Sequence, residues 1–172
     1  MSTPVAGAMP ADLILRAPRR EEVPEVLALI RELAAYERLA DEAVATEADL
    51  ALALFGERPF AEVVLACRGA TAVGYALFFH NFSTFRGKPG LYVEDLFVRP
   101  AARRRGVGRR LFAWLARTAL DRGCTRLEWA VLDWNAPSIG FYRGLGAVAQ
   151  DEWTTFRLTG AALERLASHR AR

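Results

Sequence analysis

The stretch from Glu94 to Gly108, EDLFVRPAARRRGVG, joins an acid-bearing apolar run to a turn in which Arg103, Gly106 and Gly108 fall as R-x-x-G-x-G. Residues of these types at this spacing can hold a pyrophosphate. Glycines let the backbone come close and take positive φ, and the first amides of a helix have no internal partner, so they can point at phosphate oxygens with the helix dipole behind them. Arg103, Arg104, Arg105, Arg109 and Arg110 add charge that does not titrate away and can grip phosphate bidentately. A P-loop would need Gly-Lys-Ser or Gly-Lys-Thr at the end of the turn, where Arg109 and Arg110 follow Gly108; a dinucleotide fingerprint would need glycine at Leu111. From the turn alone, a plain strand-to-helix connection with a solvated arginine face stays open beside the diphosphate site.

The second candidate is Glu94. A carboxylate in an apolar strand is a poor strand former and costly to bury without a partner or a purpose. Strict alternation puts Glu94 with Tyr92 and Leu96 on one face and Asp95 with Val93 and Phe97 on the other, unless a bulge intervenes. One acid then faces a substrate directly, and Glu94 is the preferred one; Asp95 reads as a hydrogen-bonded structural group.

The elements that must position these residues follow from periodicity. Leu13 to Arg16 reads as a strand, and Val23, Val26, Leu27, Ile30, Leu33 and Ala34 recur through a first helix that ends on Tyr36 and Glu37. Thr46 with Asp49 makes a capping-box pattern for a second helix stopping near Gly56. Ala61 to Cys67, Ala72 to His80 and Leu91 to Val98 read as strands. A helix from Gly106 to Arg122, a strand at Arg126 to Leu132, a short helix from Pro137, a strand at Gln150 to Leu158 and a last short helix complete one mixed α/β layer fold without repeats.

Composition narrows the class. The 172 residues, 52% hydrophobic and 25% charged, suit one globular domain with a proper core, here residues 12–172 behind a loose tail at 1–11. No run approaches a membrane span. Cys67 and Cys124 have no C-x-x-C partner and His80 and His169 stand alone, so no metal site is expected and a reducing cytoplasm is. The net charge of +3 allows a nucleic-acid partner, but the basic residues are spread along the chain apart from the cluster at 103–105 and 109–110, and that cluster also suits an acidic small molecule, so nucleic acid is the minor alternative.

With the order strand, phosphate turn, helix, strand, then WNAPSIGFYRGLGA, the chain resembles the GCN5-related N-acetyltransferases over roughly residues 13–158. Through IRELAAYE, TEADL, FGERPF, LYVEDLFV and DWNAPSIGFYRGLGA it is similar to the diamine (spermidine/spermine) acetyltransferases and their thialysine-acetylating relatives. The resemblance implies a central, mixed, mostly antiparallel twisted sheet with a splayed strand pair, flanked by helices, and a homodimer. It implies acetyl-CoA as co-substrate, its pyrophosphate on the amides of Arg104, Arg105, Gly106, Val107, Gly108 and Arg109 beside Arg103, its acetyl and pantetheine arm along Leu96, Phe97 and Val98, with Asn135, Pro137 and Ser138 lining the rest. Tyr142 matches the tyrosine that protonates the departing thiolate, and amine contacts fall on Tyr36, Glu37, Glu94, Glu128, Trp129 and Ala130.

The chemistry asks for the same types independently. A primary amine of pKa near 10.4 must lose a proton before it attacks a thioester, and a phenol of pKa near 10 can donate to a developing thiolate whose thiol lies near 8.5. An acid set of Glu37, Glu94 and Glu128 favours a small acceptor with a second cationic group, a diamine, a polyamine or a lysine-like amino acid. The Phe97 amide is the expected oxyanion donor. Cys67 and Cys124 have no motif of an acetyl-carrying nucleophile, so transfer is expected to be direct, in a ternary complex. The alternatives are acetylation of protein or peptide amines, and an idle acetyl-CoA-binding module, against which Glu94 and Tyr142 argue. The segment after Gly146, AVAQDEWTTF, is shorter than in the polyamine branch. Trp129, Trp134 and Trp153 read as core or cleft walls.

Overall fold

The computed structural model describes residues 12–169. The tail expected at 1–11 lies outside them. The described residues form two compact units, one ending at Asn135 and one beginning at Ala136.

In the first unit five strands lie in the order β1-β2-β3-β4-β5: β1 (Leu13–Arg16), β2 (Glu62–Arg68), β3 (Thr71–Ser83), β4 (Lys88–Val98) and β5 (Leu127–Trp129). The first four pair antiparallel, as short connections allow, and β4 with β5 parallel, because the intervening helix makes a crossover. This is the mixed, mostly antiparallel sheet that the resemblance implies.

Helices cover both faces. α1 (Val23–Glu37) and α2 (Glu47–Phe55) bury Val26, Leu29, Leu33 and Leu50 against Val63, Leu65, Tyr75 and Phe97. On the other face α3 (Val107–Asp121) buries Val107, Leu111, Leu115 and Ala119 against Val64, Ala76, Phe78, Leu91 and Val93. The α2 cap is the expected box: Thr46 Oγ1 accepts from the Asp49 amide at 3.2 Å and Asp49 Oδ2 from the Thr46 amide at 2.9 Å.

At the head of α1, Arg16 grips Glu22 through two nitrogens, at 2.7 and 2.6 Å. The guanidinium holds the Glu22 carboxyl well below the usual range, at about 2. Because that value lies below the unfolded one, the pair stabilises the fold above pH 4.5 and the contribution disappears as pH falls towards 2. Arg16→Gln therefore flattens the fall of the denaturation midpoint with pH across that window, and a wild-type slope retained in the variant contradicts it.

Two sequence expectations need correction. The strand expected over Arg126 to Leu132 is only Leu127–Trp129, and the segment expected as a strand from Gln150 to Leu158 is not one. In the second unit Trp153 is 77% and Phe156 92% exposed. Aromatic and β-branched composition favours a strand only where a neighbour supplies ladder bonds and a surface to pack on, and none pairs with this segment among the described residues. Trp153 is accordingly not part of a core there. α4 (Ala136–Arg143) and α5 (Gly160–Ala167) match the two short helices expected. No helix among the described residues is long and apolar enough to cross a membrane.

Candidate functional site

The site begins where the sheet comes apart. β5 pairs with β4 only from Leu91 to Val93, so the continuation of β4 to Val98 has no β5 neighbour. Leu96, Phe97 and Val98 therefore lie on a strand open on one side, with Leu96 and Val98 packed towards α3 and Phe97 buried towards α1. This is the splayed pair. A single turn, Pro100–Ala102, then leads to the arginines, and the chain enters α3 through two left-handed residues, Arg104 at φ 60° and Gly106 at φ 77°.

Arg104, Arg105 and Arg109 are exposed around this helix start and make no ion pair among the described residues. Two other arginines are engaged elsewhere. Arg110 donates to the Leu13 carbonyl at 2.7 Å, tying α3 to β1. Arg103 Nε donates to the Val98 carbonyl at 2.8 Å, and its guanidinium lies over Tyr36 (4.6 Å) and Phe97 (5.5 Å). The tight approach of β3 to β4 here requires a glycine: a Cβ on Gly74 would stand 2.6 Å from the Phe97 carbonyl oxygen and 3.2 Å from Val98 Cα. Gly74→Ala pushes two backbones apart and costs about 1–3 kcal/mol in denaturant unfolding; an unchanged midpoint would contradict the close approach.

A bulge separates the two acids. Leu77 faces Asp95 and Phe78 faces Val93, leaving Glu94 as the extra residue of β4. Leu91 and Val93 point to the α3 side before it, and Leu96 and Val98 after it, so the alternation changes phase at Glu94. The strict pattern that grouped Tyr92, Glu94 and Leu96 is thus corrected: Glu94 stands exposed at the bulge, and Asp95 turns with Phe97 to the α1 side. There Asp95 Oδ2 accepts from the Tyr75 hydroxyl at 2.9 Å. Burial pushes the Asp95 carboxyl up, the Tyr75 hydrogen bond pulls it partly back, and Glu94 pushes it up again.

α1 ends over this edge. Glu37 is half-buried, and its carboxyl is pushed up by burial first and by Asp95 second. Tyr36 donates to Asn135 Oδ1 at 3.3 Å and stacks obliquely on Trp134 at 6.1 Å. Asn135 is buried, while Trp134 is half-exposed with Arg38 over its ring at 5.0 Å. Arg99 fixes α1 to the sheet, bonding Glu32 at 2.6 Å, Glu25 at 3.0 Å and the Ala72 carbonyl at 2.6 Å.

Other expected residues stand differently. Glu128 pairs with Arg126 at 2.8 Å and accepts from Asn81 at 2.8 Å. Trp129 packs edge-on to Phe112 at 4.8 Å against the α3 core, and Ala130 is exposed beyond β5. In the second unit Pro137, Ser138 and Tyr142 lie on α4; Pro137 is exposed and the other two half-buried, with the Tyr142 and Phe141 ring centroids 5.5 Å apart. Asp95 accepts a hydrogen bond, as its structural reading expects, but the donor is Tyr75, which the residue pattern does not single out, and the bulge that turns Asp95 to it has no signature in the residue types. A half-buried acid beside a buried tyrosine was visible only as two apolar strands.

A helix N-terminus entered through left-handed residues, three unengaged arginines and an open strand edge fit a long ligand with a diphosphate. Among the described residues no group of three or more His, Cys, Asp or Glu gathers. The family model described as Acetyltransferase (GNAT) family matches residues 27–147. A thialysine N-epsilon-acetyltransferase of Bos taurus is 38% identical over 168 residues, 91% of this chain and 98% of that one. The L-ornithine N5-acetyltransferase NATA1 of Arabidopsis thaliana is 32% identical, covering 84% of this chain and 83% of that one. Among solved structures, an integron cassette protein from the mobile metagenome of V. cholerae superposes with a TM-score of 0.78 at 28% identity, covering 92% of this chain and 99% of that one.

Proposed function

Because the chain belongs to the GNAT acetyltransferase family, we propose that it moves acetyl from acetyl-CoA directly to a primary amine of a small cationic acceptor, a diamine, a polyamine or a lysine-like amino acid. The observation that carries the acceptor class is the meeting of Glu37 and Asp95 on one side of the open β4 edge, each carboxyl pushed up by burial. Two crowded acids are relieved by a cation. The relatives acetylating thialysine and ornithine act on amino acids with a side-chain amine, which supports the same class.

In this reading the amides and side chains from Arg104 to Arg109 hold the diphosphate, and the thioester arm lies along Leu96 to Val98 with Asn135, Pro137 and Ser138 contributing. Glu94, or a water it holds, takes the ammonium proton. The amine nitrogen then bonds to the acetyl carbon while an amide on the open side of β4, that of Leu96 or Val98, receives the oxygen's charge. The Phe97 amide expected in this role is turned to β3, because the Arg99 amide donates to the Val73 carbonyl and the ladder alternates from there. The carbon–sulfur bond breaks, Tyr142 gives its proton to sulfur, and the second proton of the nitrogen leaves to solvent, from which Tyr142 regains one. A homodimer belongs to this reading as a family expectation, and sedimentation measures it.

Thiol release from acetyl-CoA is the test, against putrescine, spermidine, spermine, lysine, ornithine, thialysine and a lysine-containing peptide. Preference for one of the small cations is the expected result. Preference for the peptide over all of them, or silence with acetyl-CoA still bound, sinks the acceptor class.

A further inference from the structure

Tyr75 is 0% exposed in the middle of β3, where a phenylalanine would fill the same space with no hydroxyl to satisfy. Its hydroxyl bonds to Asp95 Oδ2 at 2.9 Å. In register Tyr75 faces Phe97 and Asp95 faces Leu77, so the bond runs diagonally between strands, and it exists because the bulge turns Asp95 to this face. The charged groups around it are few. Glu37 looks on from α1, Glu94 adjoins it on β4, and Arg103 is occupied by the Val98 carbonyl and the rings of Tyr36 and Phe97. Among the described residues Asp95 makes no ion pair. A half-buried carboxylate with a neutral donor on one oxygen and acids beside it lacks the cation that such groups ordinarily have.

Resting on the acceptor class proposed above, we infer that Tyr75 is a positioning residue for the amine: its buried hydroxyl fixes Asp95 on the α1 side of the sheet, where this carboxylate and Glu37 together receive a cationic group of the acceptor. The hydroxyl also opposes the effect of burial. Without it, burial and Glu94 act on Asp95 unopposed, and the carboxyl titrates at higher pH.

Tyr75→Phe tests this through three readouts. The acceptor KM rises about tenfold at pH 7, the scale of one hydrogen bond to a charged group, with a smaller change in kcat and none in the acetyl-CoA KM. The acid limb of kcat/KM for the acceptor moves to higher pH, and the defect shrinks as pH is raised. In ligand-free protein the carboxyl carbon of Asp95, followed by 13C NMR, titrates at higher pH in the variant than in the wild type. A role limited to packing would lower the denaturation midpoint and leave the KM split, the acid limb and the titration where they were; that result overturns the inference. If Tyr75→Phe does not fold, Asp95→Asn, which keeps an oxygen for the Tyr75 hydroxyl, must raise the acceptor KM and flatten the acid limb, and an unaltered KM overturns the inference equally. Failure of the acceptor class looks different: the NMR titration moves, yet the wild type acetylates no cationic amine, and then Asp95 has lost its substrate as well.

Discussion

Tyr142→Phe lowers kcat by about a hundredfold or more while acetyl-CoA affinity stays close to the wild-type value, on the usual scale of a lost general acid. The phenol and the departing thiolate are matched in acidity closely enough for the proton to pass as charge develops on sulfur. Nothing structural is lost with the hydroxyl on the main-chain side: the Tyr142 carbonyl accepts from the amides of Leu145 at 2.9 Å and Ala147 at 3.2 Å, closing α4, and phenylalanine keeps both. The ring pair with Phe141 is kept as well. Steady-state thiol release gives kcat, and calorimetric titration gives the acetyl-CoA affinity. A variant that loses affinity and keeps kcat would move Tyr142 from proton donor to cofactor contact; one that loses neither would leave the reaction without its assigned acid.

The parts of this molecule that were legible in the sequence are those whose signal is local. The α1 stripe Val23, Val26, Leu27, Leu33, the Thr46–Asp49 box and the Arg103–Gly108 turn each state their geometry within a few residues, and each is found. What escaped depends on neighbours. The segment 150–158 has strand composition but no partner strand, and Glu128 has the charge for a substrate together with a neighbour, Arg126, that its residue type does not announce. Arg103 and Arg110 share a cluster with Arg104, Arg105 and Arg109, yet one is held by Val98 and two rings and the other by Leu13. No count of arginines separates them. Asp95 and Glu94 differ by a single bulged residue, and a one-residue slip exchanges the two faces of a strand.

That exchange divides the work between the two acids. Asp95 is held from behind by Tyr75, half-buried and crowded by Glu37, which suits a fixed anion for recognition. Its cost is paid in stability: with the folded value raised above the unfolded one, the carboxyl destabilises the fold as pH rises through the interval between them and at every higher pH. Glu94 is exposed at the bulge, out of the β3 ladder and beside the stretch of β4 that β5 leaves open, where an acid can exchange protons with solvent between turnovers.

Glu94→Gln should therefore lower kcat at pH 7 by about 10²- to 10⁴-fold, the range for loss of a general base, with a lesser effect on the acceptor KM. The pH dependence makes the prediction specific. At neutral pH nearly all of a primary amine is ammonium and needs a base; as pH approaches the amine's own pKa near 10.4, a growing fraction arrives already deprotonated and needs none. The ratio of wild-type to variant kcat/KM narrows steadily between pH 7 and pH 10, whereas a residue that only binds the ammonium shows the opposite trend or none. Acceptors of lower amine pKa shrink the ratio further at fixed pH, which gives the same answer without leaving conditions where the protein is folded. A ratio that is large and constant across pH and across acceptors would assign Glu94 to binding, and the proton would then have to leave through water held by Asp95 or Glu37.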